Sequence, residues 1–133
     1  MSELPMCTVR RIQRSLFVII LTASAACERT TSPAPRAGVV AARLVSPYSD
    51  DGAAYLEITG RVDSVMATAG TLVYTEQTSA GIMRVLLIRE TPGPIQFSLG
   101  LADRSQRPTV RVLEIADGQD QPRGDLSAYR LEY

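Results

Sequence analysis

The chain has 133 residues, a formal net charge of zero and 14 basic side chains, all of them arginine. His, Lys, Asn and Trp are missing, and there are only two cysteines. These absences remove an imidazole base, histidine metal ligands, a lysine Schiff base and any cysteine metal cluster. The balanced charge offers none of the basic stripe that nucleic acid requires. The composition therefore leads us to expect a non-enzymatic protein with no cofactor, no metal centre and no nucleic-acid partner.

The first segment with a clear pattern is "RSLFVIILTASAACERTTSPAPR", Arg14 to Arg36. Its apolar run, Leu16 to Ala26, falls well short of the about 20 residues that a membrane-spanning helix needs. It suits the core of a secretory signal peptide, with Arg10, Arg11 and Arg14 as the basic region before it. The run ends in Ser24-Ala25-Ala26-Cys27, which resembles the lipobox of bacterial lipoproteins. That resemblance implies a signal peptide over residues 1–26, cleaved before Cys27, which is then acylated. Ser24 departs from the leucine that the family prefers. Ordinary cleavage after Ala26 is the alternative, leaving an unmodified thiol. Residues 27–37 are polar, with Pro33 and Pro35, and read as a flexible tether.

From residue 38 to residue 133, short runs of Val, Ile, Leu, Thr and Tyr alternate with Gly, Pro and Asp, the signature of an all-β domain. "GVVAARLV" gives a first strand, stopped by Pro47, and Asp50-Asp51-Gly52 reads as a turn. In "AAYLEITG", Ala54, Leu56 and Ile58 share one face. "VDSVMAT" and "TLVYTEQT" follow as weaker strands. "GIMRVLLIRE" is apolar on both faces and reads as a central strand covered on both sides. After "TPGP", the run "PIQFSLGL" points Ile95, Phe97, Leu99 and Leu101 inward. In "PTVRVLEIADG" the apolar phase moves from Val110 and Val112 to Leu113 and Ile115, which predicts a bulge near Val112. "LSAYRLEY" is the last strand, with Tyr129, Leu131 and Tyr133 on one face. About eight short strands in one domain predict an antiparallel β-sandwich. The predicted core includes Leu56, Ile58, Val85, Leu87, Ile95, Phe97 and Leu99.

The order of these features resembles the cohesin-like, jelly-roll type β-sandwich modules of bacterial extracellular proteins. The likeness rests on "GAAYLEITG", "GIMRVLLIRE", the Gly-Pro break before "PIQFSLGL", the "EIADG" turn and the closing "AYRLEY". It covers Val39 to Tyr133 and implies the sandwich. Cohesins bind dockerin modules, but no residues here match a dockerin-reading surface.

Among candidate sites, Asp117, Asp120 and Asp125 share the loop "DGQDQPRGD" as a candidate weak calcium loop. Their spacing misses the EF-hand pattern, and a polar surface loop is the plainer reading. Asp50 and Asp51 offer a second carboxylate pair, better explained as a solvated turn. Arg123-Gly124-Asp125 spells an adhesion tripeptide that three common residue types form by chance. Glu57 and Glu76 can be posed as paired glycosidase carboxylates, but isolated glutamates on outward strand faces are usually solvated and nothing in the sequence brings these two together. Tyr48, Tyr55, Tyr74 and Tyr129 offer a sugar-stacking face. The resulting expectation is a cell-envelope lipoprotein, extracytoplasmic and held to the membrane through acylated Cys27. It would serve as a binding or assembly module for a protein or glycan partner. The alternative is a secreted or periplasmic carbohydrate-binding module using the tyrosines.

Overall fold

The computed structural model describes residues 32–133. The expected signal peptide, Cys27 and residues 27–31 of the expected tether lie outside the described residues. Ala34–Tyr133 form one compact unit of eight strands, with no helix among the described residues. The strands are β1 (Gly38–Val45), β2 (Asp51–Thr59), β3 (Val62–Ala67), β4 (Thr71–Ser79), β5 (Ile82–Arg89), β6 (Gln96–Leu101), β7 (Thr109–Asp117) and β8 (Arg130–Glu132). They make two four-stranded antiparallel sheets, ordered β3-β6-β1-β8 and β4-β5-β2-β7. The chain is an all-β sandwich.

The period-2 alternation that marks each strand also builds the core, because every second side chain points to the same face. Val40, Ala42 and Leu44 of β1 and Phe97, Leu99 and Leu101 of β6 face inward from one sheet. Ala54, Leu56 and Ile58 of β2, Val85 and Leu87 of β5 and Ile115 of β7 meet them from the other. All seven core residues expected from sequence are buried. Each large one contributes about 1.5–3 kcal/mol by leaving water.

The bulge in β7 is where the change of apolar phase places it. Tyr55 pairs with Glu114 and the next residue, Leu56, pairs with Val112, so Leu113 is the extra residue. This lets Val110 and Val112 pack against the core on one side of the bulge while Ile115 is buried on the other.

Three expectations are corrected. Asp51 and Gly52 are not turn residues: they open β2, and Gly52 is not in the left-handed region. β5 is an inner strand, but only Val85 and Leu87 reach full burial, and among the described residues no layer covers its other, half-buried face. The last strand is only Arg130–Glu132. It is shortened because the Tyr129 amide donates to the Leu126 carbonyl at 3.1 Å, closing a turn immediately before it.

Candidate functional site

At one end of the sandwich, the start of β2, the end of β7 and the β5–β6 connection converge. The Gly93 amide donates to the Asp51 carbonyl at 2.8 Å, and the Gly118 amide donates to the Asp50 carbonyl at 2.8 Å. A Cβ on Gly52 would sit 2.5 Å from the Asp117 carbonyl oxygen, so glycine lets the two backbones approach. After β7 the chain folds back on itself. The Asp117 amide donates to the Gln121 carbonyl at 2.9 Å, and the Arg123 amide donates to the Ile115 carbonyl at 2.8 Å. This return carries the Arg123 side chain inward.

Arg123 is the centre of the cluster, with only 17% of its side chain exposed. Its guanidinium donates to Asp50 Oδ1, with Nε 3.5 Å from Asp51 Oδ1 and one terminal nitrogen 3.8 Å from Asp117 Oδ2. Its Cζ lies 4.2 Å from the centre of the Tyr48 ring, within cation–π range. Asp51 is 2% exposed and accepts a 3.0 Å hydrogen bond from the Tyr129 hydroxyl. Burial pushes the Tyr129 phenol above its ordinary value, and the Asp51 carboxylate adds to the effect. The backbone amides of Gln121 and Gln119 donate to Asp117 Oδ1 and hold its carboxyl below the usual range, helped by Arg123. A buried carboxylate must be paired, and Asp51 has both the Arg123 guanidinium and the Tyr129 hydroxyl beside it.

The structure places the three carboxylates of the candidate calcium loop in separate settings. Asp117 is engaged by two amides and Arg123, Asp120 stands exposed at the loop tip with φ 61°, and Asp125 accepts from the Ser127 amide at 2.9 Å. Among the described residues, no group of three or more acidic or thiol ligands is placed to hold a metal. The inward turn of Arg123 also separates it from Asp125, so the adhesion tripeptide is not displayed as a unit.

The four tyrosines divide between two places. Tyr48 and Tyr129 belong to the arginine cluster, their rings 6.4 Å apart. Tyr55 and Tyr74 lie on the outer face of sheet β4-β5-β2-β7, where the register arranges side chains in rows across the four strands. One row is Leu72, Ile88, Ala53 and Ala116. The next is Tyr74, Leu86, Tyr55 and Glu114. The third is Glu76, Arg84, Glu57 and Arg111. Leu72 is 45% exposed and Tyr74 58%. Ala53 and Ala116 floor a shallow recess walled by Tyr55, Leu86 and Glu114.

The third row places Glu57 and Glu76 with an arginine between them. Arg84 stands between them in the register, so they are two strand spacings apart, about 10 Å. Glu57 is instead paired with Arg111 at 2.9 Å and with Arg84 at 3.6 Å. The sequence indicated the tyrosines and glutamates one at a time. It did not reveal the face they share, because a row is set by register across four strands.

No family model matches the chain, and no curated protein or solved structure matches it either.

Proposed function

We propose that the chain is an envelope lipoprotein whose sandwich is a non-enzymatic binding or assembly module, presented outside the cytoplasm by an anchor at Cys27. The observation that supports the binding role is the outer face of β4-β5-β2-β7. Two adjacent rows there, from Leu72 to Ala116 and from Tyr74 to Glu114, carry large apolar and aromatic side chains with no covering layer among the described residues. Contiguous apolar surface of this kind marks an interaction site, whereas single exposed apolar residues do not. The cohesin-like resemblance agrees with such a role and is part of the proposal.

The anchor is tested by metabolic labelling with a fatty-acid probe. The wild-type protein should take up label and sediment with membranes until detergent is added, and Cys27→Ser should lose the label. A wild-type protein that takes up none and is found in the soluble extracytoplasmic fraction would refute the anchor. The binding role is tested by capture from native envelopes with the wild type and with Tyr74→Arg. Material retained by the first should be lost from the second. Equal retention would remove the face from the proposal.

A second reading is favoured by one observation. Tyr74 and Tyr55 lie in the same row with Leu86 between them, as a stacking platform for a sugar chain would require. A glycan array settles it: sugar binding abolished by Tyr55→Ala would make the chain a carbohydrate-binding module.

A further inference from the structure

The three rows on the outer face of β4-β5-β2-β7 have a property that none of their residues has alone: they are complementary to themselves. Consider a two-fold axis parallel to the strands, running between β5 and β2. It carries β4 onto β7 and β5 onto β2 while leaving the position along each strand unchanged. Two copies related in this way bring each row against its own reversal.

In the charged row, Glu76-Arg84-Glu57-Arg111 then meets Arg111-Glu57-Arg84-Glu76 of the second copy. Every carboxylate faces a guanidinium. In the first row, Leu72-Ile88-Ala53-Ala116 meets its reversal, so each large side chain stands over an alanine. This alternation of large against small is what close packing between layers needs. The alanines are the floor of the recess already described, so Ile88 and Leu72 of one copy have a hollow to enter on the other. In the middle row, Leu86 meets Tyr55, and the Tyr74 hydroxyl meets Glu114, a donor against an acceptor.

We propose that the sandwich forms a two-fold symmetric dimer through this face, the sheets stacked about 10 Å apart with strands aligned to within about 30°. The proposal rests on the binding-module reading and names the partner as a second copy of this chain. Charge complementarity decides between a second copy and an unrelated protein. A face evolved for a separate partner has no reason to match its own reversal in sign, size and hydrogen-bonding capacity at once, whereas an isologous interface must. Sheet twist concentrates the contact near the axis, on Arg84, Glu57, Leu86, Tyr55, Ile88 and Ala53. The footprint, about 20 Å by 20 Å on each copy, lies below the size of standard stable interfaces, so the dimer is weak in solution. Anchoring both copies in one membrane would raise their effective concentration and favour it.

The test is sedimentation equilibrium of the full chain in density-matched detergent, from about 1 µM to about 1 mM, spanning a weak interface. The wild type should pass from monomer to dimer across this range. Glu57→Arg and Arg84→Glu should each weaken the dimer at least about tenfold, because each creates two like-charge contacts across the axis. An equal mixture of the two should restore it, since every opposed pair in the mixed dimer is again opposite in sign. Tyr74→Arg, at a well-exposed edge position that leaves the core intact, should also yield monomer. Thermal unfolding of each variant shows that it is folded before its mass is interpreted. A wild type monomeric at 1 mM overturns the dimer, as does a dimer that survives both charge reversals and Tyr74→Arg, or single reversals that the mixture does not rescue. Envelope capture lost on Tyr74→Arg alongside a monomeric wild type would sink the second copy as occupant while leaving the binding role standing.

Discussion

At the scale of single residues, one side chain does most to fix the end of the sandwich where β2, β7 and the β5–β6 connection meet. Arg123 lies within ion-pair distance of Asp50, Asp51 and Asp117, and only Asp51 is fully buried. Removing one partner of a buried ion pair leaves the other uncompensated, a loss of about 3–5 kcal/mol when both are fully buried. Arg123 is partly exposed, so Arg123→Ala should cost less than that in chemical denaturation. A loss below that of ordinary surface substitutions would show that water already solvates Asp51. Acid should act through the same cluster. The carboxyl of Asp117 is held below its ordinary value of 3.8 by two amides and Arg123. Its contribution is therefore complete above about pH 5 and is lost as the pH falls through the depressed value. The melting temperature should decline over that acid window, and less steeply in Arg123→Ala. None of this pairing was legible in the sequence. The aspartates were visible as carboxylates, but Arg123 and Asp50 are 73 positions apart, and nothing local marks that arginine as their counter-charge.

At the scale of elements, the strands were legible and the sheets were not. Alternation is a local signal, and it placed Leu56, Ile58, Phe97 and Leu99 in the core and the bulge in β7. It misjudged β5 because an apolar outer face reads the same whether a layer of this chain covers it or it lies open. It misjudged Gly52 because a glycine after an aspartate serves a turn or a close backbone approach equally well. The structure selects the close approach, against the Asp117 carbonyl and the Asp117–Gly118 backbone. Since that backbone is held by its own hydrogen bonds, Gly52→Ala forces the two segments apart. The expected cost is about 1–3 kcal/mol, as for overpacking. Gly124 supplies the control, because a Cβ there would meet nothing within 4 Å. Gly124→Ala should leave the midpoint of urea unfolding almost unmoved. Equal effects at both glycines would mean that the tight approach at Gly52 relaxes without strain.

At the scale of the whole molecule, the order of strands decides how the domain folds. Only β4 and β5 follow each other within one sheet; every other connection passes between the sheets. A lone two-stranded hairpin is marginal in water, so no sheet can form early from neighbours in sequence. Each sheet must be assembled from strands far apart in the chain, which costs loop-closure entropy before any burial offsets it. Folding should therefore be slow for the domain's size, in the millisecond-to-second range of sandwiches, and should occur in one step. The core makes the same demand. Phe97 projects from β6 in one sheet and Leu87 from β5 in the other, and both are buried in a single apolar cluster. Phe97→Ala should cost about 3–5 kcal/mol and Leu87→Ala about 2–5 kcal/mol. Because neither sheet has a stable form without the other, each substitution should lower the transition of the entire domain and create no second transition. Far-ultraviolet circular dichroism reports all strands together. Tyrosine fluorescence draws on Tyr129 near one end and on Tyr55 and Tyr74 on one outer face. The two signals should coincide through unfolding for the wild type and for both variants. A dichroism loss that leaves part of the fluorescence change for higher denaturant would mean that one sheet persists alone, and the crossing connections would then not be what binds the two sheets into one cooperative unit.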